Sequence, residues 1–461
     1  MDTKRFTLDA TLTLIAAYLG LFVGLIDANA VNLALPAIRN DLGGGISGAQ
    51  WTIDAYNVTF AAVLLTSGSL GDRFGRRTLL RIGLVMFVAA SLVCAAASSL
   101  PLLLAARAIQ GIGAAVMLPQ GLAITAAAFP NPIERARATA AWAMAAALST
   151  AIGPILGGVL TDGLGWRYIF WLNAPVGVVA LLMTYRYLPE SRDPDAARID
   201  VPGQTLAMLG LGTLIVVLVE GRTLAPIWTV ALAVVAVSTI AAFLWSQRRI
   251  THPMLPLNLF RSPRLVAALV ATFTMTFGIY GLLLVNSFAF QQQRGASALA
   301  TALWFLPMPL TYLVLIPAAN ALAHRTGPRP PMTAGLILMA AGMALYAAVG
   351  PRADVWLLEL SFVLAGAGLA LNTGPAVGLA MSAVPLQRAG LASGVVNLAR
   401  LVGITVGVAV LGSAFGVIGG VAGVRTAMMI GGAVQLIGAM VAFRWARTQD
   451  QAPAEKEVCH A

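Results

Sequence analysis

The chain has 461 residues, of which 59% are hydrophobic and only 10% charged, against roughly 25% charged in ordinary soluble domains. A water-soluble fold is excluded on that ground, so the formal net charge of +11 asks which face of a membrane the basic residues occupy and does not point to nucleic acid. Cys94 in an apolar run and Cys459 in a polar tail supply neither a disulfide framework nor a thiolate metal cluster.

About 20 mostly apolar residues are needed to cross the hydrocarbon as a helix. Taken in chain order, runs of that length predict fourteen spans: 12–36, 51–70, 79–98, 101–127, 138–161, 168–187, 204–221, 226–246, 265–289, 299–322, 332–350, 355–381, 389–416 and 425–445. The first is far longer than the roughly 7–15-residue core of a cleavable signal and lacks a small-residue cleavage site, so it reads as a retained span. With the N-terminus in the cytoplasm, 21 of the 29 Lys and Arg residues fall inside and six outside. Translocating basic loops is disfavoured, so both termini are expected to be cytoplasmic.

The loop after span two, Leu70-Gly71-Asp72-Arg73-Phe74-Gly75-Arg76-Arg77, aligns with the loop after span ten, Leu322-Ala323-His324-Arg325-Thr326-Gly327-Pro328-Arg329, with four of eight positions identical. The repeat predicts two six-span halves, 1–187 and 264–447. Between them lies a linker, 188–263, with two inserted spans, and a cytoplasmic tail, 448–461, follows. A chance match of two basic turns is the alternative. Glu190 to Asp195 and the tail read as solvated.

Charges in a bilayer are costly, and a substrate or ion path is their usual explanation. Asp27, Arg107 and Arg400 lie deepest in the predicted spans. Asp54 follows Trp51 at the start of span two, where either an interfacial or a cavity role fits. Asn29, Asn32 and Gln110 offer polar partners on the same helices. Asp27 and Arg107 are either a coupling site or one static buried pair. In span five, Ser149-x-x-x-Gly153-Pro154-x-x-Gly157-Gly158 combines small residues that permit close helix approach with a proline that bends the helix. The three histidines, His252, His324 and His460, are scattered, and no nucleotide loop or nucleophile elbow occurs, so an enzyme lacks its parts.

Gly68-x-Leu70-Gly71-Asp72-Arg73-x-Gly75-Arg76-Arg77 resembles the signature loop of the major facilitator superfamily. Leu25-Ile26-Asp27-Ala28-Asn29-Ala30-Val31-Asn32, Trp51-Thr52-Ile53-Asp54-Ala55-Tyr56, Arg107-x-x-Gln110-Gly111, Trp166-Arg167-Tyr168-Ile169-Phe170-x-x-Asn173 and Asn397-x-x-Arg400-x-x-Gly403 are similar to motifs of its fourteen-span drug:proton antiporter family, in the methylenomycin and quaternary-amine exporter branch. Asn29, Ser149, His324 and Leu401 depart from the family pattern.

The resemblance implies an all-α membrane protein of the major facilitator fold, two six-helix bundles plus two inserted helices in the cell (inner) membrane. It implies a monomeric proton-coupled antiporter of small, cationic or amphipathic drugs, driven by the proton gradient without a cofactor. Asp27, Arg107 and Asp54 would handle protons. Asn29, Asn32, Gln110 and Arg400 would face the substrate. Gly68, Asp72, Arg73, Gly75, Arg76 and Arg77 would latch the halves, and Gly153, Pro154, Gly157 and Gly158 would seal the cavity. Export of one metabolite, amino acid or antibiotic is the alternative; a membrane enzyme or receptor stands further off.

Overall fold

The computed structural model describes residues 8–129, 131–192, 200–221, 223–250, 253–255, 257–350, 354–384 and 389–446, apart from some side chains within α1, α2, α4, α5 and α14. Among these residues the chain forms fifteen α-helices. They are α1 (Leu8–Leu42), α2 (Gly45–Phe74), α3 (Arg76–Ala95), α4 (Leu100–Ala128), α5 (Pro132–Gly163), α6 (Arg167–Tyr187), α7 (Val201–Glu220), α8 (Pro226–Arg249), α9 (Pro263–Phe288), α10 (Ala298–Phe305), α11 (Pro307–Thr326), α12 (Arg329–Val349), α13 (Val355–Ser382), α14 (Ala389–Ile418) and α15 (Gly420–Trp445). The tail, with Cys459 and His460, lies outside the described residues, as does His252.

Twelve helical rods among the described residues are long and apolar enough to cross a membrane, with α10 and α11 counted as one. The sequence predicts fourteen; α2 and α5, which contain side chains outside the described set, are not among the twelve. The predicted tenth span is broken where Leu306 meets Pro307, because proline donates no backbone hydrogen bond and its ring crowds the preceding turn. The second span starts six residues earlier than predicted, at Gly45, so Asp54 lies about 13 Å along its helix at 1.5 Å per residue. Asp54 is also fully buried in the protein.

Packing repeats between the first and last helices of the chain. The contacts α1 with α5, α1 with α6, α2 with α4, α3 with α4 and α3 with α6 have counterparts in α9 with α14, α9 with α15, α11 with α13, α12 with α13 and α12 with α15. The two sets meet where α2 lies against α14, α5 against α10 and α1 against α9. Helix α7 packs on both α2 and α14, while α8 leans on α7 and exposes Ile227, Trp228, Val230, Val237 and Trp245. Such a one-sided apolar face suits lipid.

Close approach of α5 to its neighbours depends on missing side chains. A Cβ at Gly157 would lie 2.6 Å from the Ala30 carbonyl oxygen, and one at Gly158 would lie 2.7 Å from the Leu299 Cα. Because backbone blocks both positions, neither can be relieved by a rotamer change. Gly157→Leu is therefore expected to cost about 1–3 kcal/mol through overpacking, whereas Gly68→Ala, whose added methyl meets open space, leaves the thermal unfolding midpoint of the purified protein unchanged.

Candidate functional site

One polar network joins five helices inside the first half. Asp27 on α1 is fully buried, and Arg107 on α4 is 2% exposed. Their ion pair measures 2.5 Å from Nη1 to Oδ2. The second carboxylate oxygen accepts from Asn173 Nδ2 on α6 at 2.7 Å and from Gln110 Nε2 on α4 at 3.2 Å. Arg107 also donates from Nη1 to Gln110 Oε1 at 2.7 Å and from Nε to the Thr52 carbonyl of α2 at 3.1 Å. Ser91 on α3 accepts from Asn173 at 2.8 Å and from Gln110 at 3.2 Å, and donates to the Phe170 carbonyl. The guanidinium carbon stands 4.4 Å from the Tyr56 ring centroid, a cation–π contact that contributes further to holding it. This hydrogen-bonded pair is the arrangement that offsets the cost of burying two ions.

Asp54 is the opposite case. It is fully buried on α2, and neither carboxylate oxygen has a hydrogen-bond partner among the described residues. One turn toward the helix start, Gln50 Nε2 donates to the Val408 and Ala409 carbonyls of α14 at 3.0 and 2.8 Å, so this face of α2 belongs to the junction between the halves.

The cavity lies elsewhere. Its volume is about 120 Å³, and it is lined by Asn29 of α1, Thr150, Ala151 and Pro154 of α5, and residues of the second half that include Thr276, Tyr280, Tyr312, Thr373 and Arg400. Ligand pockets usually measure roughly 300–1,000 Å³, so the helices must part before a drug-sized molecule fits.

Of the predicted substrate-facing residues, the structure brings Asn29 and Arg400 to the cavity and leaves Asn32 and Gln110 away from its lining. Gln110 is committed to the ion pair. Nor do Asn29 and Asn32 assist Asp27: each donates to a carbonyl one turn back on α1, Leu25 and Ala28 respectively. A turn of helix at these positions looks the same in sequence whether its amides face an acid or its own backbone.

The latch loop is tied within its own half. Asp72 accepts from Arg76 at 2.8 Å, Arg76 also reaches the Ala123 carbonyl of α4, and Arg73 is exposed, lying over the Phe74 ring. Gly75 has φ +101°, a left-handed conformation that lets α2 and α3 meet across one residue. Glu190, expected in a solvated linker, instead clamps this loop: its carboxylate accepts from the Arg77 N–H at 3.0 Å and the Thr78 hydroxyl at 2.7 Å. Asp193 to Asp195 lie outside the described residues. At the other end of the molecule, Asp162 accepts from the N–H groups of Ala298 and Leu299 at 3.0 and 2.8 Å, and Gln291 donates to the Leu33 carbonyl, both across the halves.

Sequence reasoning missed Ser91, Gln50, Asp162 and Glu190, and quoted Asn173 only as part of a motif. A polar residue inside an apolar run was the available signal for Ser91 and Asn173. Gln50, Asp162 and Glu190 stand at or beyond predicted span ends, where polar residues are ordinary.

Two similarly packed helical halves around a central cavity are the architecture of a membrane transporter. A sequence profile of the Major Facilitator Superfamily matches residues 17–408 and 309–458, and the chain belongs to that superfamily. It is 38% identical over 410 residues to the multidrug resistance protein Stp of Mycobacterium tuberculosis, covering 87% of this chain and 75% of that one. It is 34% identical over 415 residues to the methylenomycin A resistance protein of Bacillus subtilis, covering 87% and 86%, and 35% identical over 417 residues to a probable actinorhodin transporter of Streptomyces coelicolor, covering 87% and 72%. Among solved structures it resembles a POT family transporter in complex with 5-aminolevulinic acid, with TM-score 0.70, 15% identity and 95% and 96% coverage. A D-xylose-proton symporter matches with TM-score 0.68, 17% identity and 95% and 98% coverage.

Removing either ion alone strands the other. Arg107→Ala and Asp27→Ala are each expected to cost about 3–5 kcal/mol, and the double variant less than their sum, read from thermal unfolding of the purified protein. A second outcome concerns pH. Burial raises the Glu190 carboxyl, but the Thr78 hydroxyl and the N–H groups of Arg77 and Ser191 outweigh it and hold the group below its ordinary value of 4.5. With the folded state binding its proton less readily, the clamp is fully present above pH 4.5 and is lost as pH falls through the lowered value. Glu190→Gln should flatten that acid limb of the stability curve.

Proposed function

We propose that the chain is a proton-coupled exporter of small amphipathic molecules, fourteen spans in the cell (inner) membrane with cytoplasmic termini. In this reading the halves 1–187 and 264–447 rock about the cavity and expose it to one face at a time. Helices α7 and α8 of the 188–263 segment sit beside the moving halves, and the proton gradient drives the cycle without a bound cofactor. The similarity to proteins named for multidrug resistance supports export, and the actinorhodin and methylenomycin relatives favour a dedicated antibiotic exporter as the second reading.

The observation that carries proton coupling is the contrast between two fully buried carboxyl groups, Asp27 and Asp54. Protonating Asp27 breaks an ion pair with Arg107. Protonating Asp54 removes a charge that no neighbour compensates, which is favourable wherever water is excluded. Asp54 is thus the resident proton carrier of this conformation, and Asp27 exchanges when motion of α1 or α4 separates it from Arg107. The contacts made by Gln50, Gln291 and Asp162 support a state closed on the outer face. Asp72, bonded inside its own half, supports a latch that is not engaged across the halves.

Proton release from detergent-purified protein on adding amphipathic dyes tests the scheme. Wild type is expected to release protons, Asp54→Asn to lose nearly all of the release, and Asp27→Asn to keep part of it. Loss confined to Asp27→Asn moves the proton to the ion pair, and silence from wild type with every dye removes proton antiport altogether.

A further inference from the structure

The charge that faces the cavity is a cation, and the second half holds no acid to balance it. Between residues 264 and 447 the sequence contains two acids, Asp354 and Glu359, and both stand at the start of α13. No Asp or Glu lines the cavity, whereas Arg400 does. Arg400 has no ion-pair partner among the described residues, and its buried Nε has no hydrogen-bond acceptor. The helix under it is nevertheless fixed, since the Arg400 carbonyl accepts from Thr276 Oγ1 of α9 at 3.0 Å. Tyr280 and Tyr312 line the same cavity as the guanidinium.

We infer that the cavity selects an anionic aromatic molecule, a carboxylate or phenolate, with Arg400 as its counter-ion and Tyr280 and Tyr312 as stacking and hydrogen-bonding walls. A guanidinium with open donor positions fits a carboxylate in a way that no other side chain in this lining matches. A cationic drug would meet an unneutralised positive charge in a water-poor space with no acid to reach, which runs against the sequence-level expectation of cationic cargo. The ligand class has an energetic consequence. Exchanging one inward proton for one outward monovalent anion moves two positive charges inward, whereas exchange for a monovalent cation moves none, so export of an acid draws on the membrane potential as well as on the pH gradient.

The inference deepens the exporter reading and rests on it for the direction of movement, while binding is tested separately. Fluorescence polarisation of the full-length purified protein with fluorescein, an aromatic carboxylate, and with ethidium, an aromatic cation of comparable size, gives the two arms. Wild type is expected to bind fluorescein the more tightly. Arg400→Gln should weaken that binding by about tenfold or more, the loss of one charge-assisted interaction, while Arg400→Lys keeps most of it. Thermal unfolding of both variants separates lost charge from lost fold. Tighter binding of ethidium, no binding of fluorescein by wild type, or an unchanged fluorescein affinity in a folded Arg400→Gln overturns the assignment. Arg400-dependent fluorescein binding without pH-driven movement in vesicles sustains the ligand class and removes the exporter reading alone.

Discussion

An ion inside a bilayer-embedded helix must find a partner or be neutralised, and in the first half of this protein that requirement organises the packing. The carboxylate of Asp27 has contacts on α4 and α6, and the guanidinium that balances it reaches α2. Ser91 brings in α3 through the same amides. Five helices are thereby tied at one level by groups that cannot separate without exposing a charge or a polar atom to hydrocarbon. Helix α5 is absent from this network. It rests on α1 through close contacts at Gly153, against the Asn29 Cβ, and at Gly157, against the Ala30 backbone.

The second half repeats the packing and not the chemistry. Its helices are joined by rings: Phe290 and Phe362 each meet both Phe305 and Tyr346 and also each other, with centroids 5.3 to 6.3 Å apart, and Trp304 stands 5.1 Å from Phe290. Each such pair contributes about 0.5–1.5 kcal/mol beyond simple burial. An aromatic cluster tolerates sliding better than an ion pair, because the loss on displacement is gradual.

Much of this was legible from residue order. Runs of apolar residues marked the helices, and the basic residues implied an orientation. The deep charges Asp27, Arg107 and Arg400 were identifiable because ionisable residues are so rare in such runs. The limits of the sequence appear at particular residues. Asp54 stood at the start of the predicted second span, open to an interfacial or a cavity role, because the apolar run begins at Trp51; α2 itself begins at Gly45, in a Gly- and Ser-containing stretch that carries no apolar signal. Asn29 and Gln110 were grouped together as cavity residues because both are polar and near a charge. Which face of its helix each occupies depends on neighbouring helices, and one proved to line the cavity while the other belongs to the ion pair. Glu190 read as linker because an isolated acid before a polar run carries no pattern. Its role comes from the distant Arg77 and Thr78 that it meets.

For the proposed proton-coupled cycle, the separation of Asp27 and Asp54 from the cavity constrains how coupling would work. Were one carboxylate to hold both proton and cargo, the two would compete directly for it. Here the acids sit in the first half and the cation that faces the cavity in the second, so communication has to pass through helix position. Helix α1 is placed to carry it. Asp27 and Asn29 are two residues apart, about 200° around a helix of 3.6 residues per turn, so one faces the ion pair while the other lines the cavity and lies against Gly153 of α5. Any rotation or shift of α1 that follows a change in the bond to Arg107 must displace Asn29 in the cavity wall. The tight backbone contact at Gly157 transmits the same movement to α5, and Gly158 carries it across to α10 in the other half. In the proposed cycle, the close contacts of the small residues of α5 carry a local change at the ion pair into a movement of one half against the other.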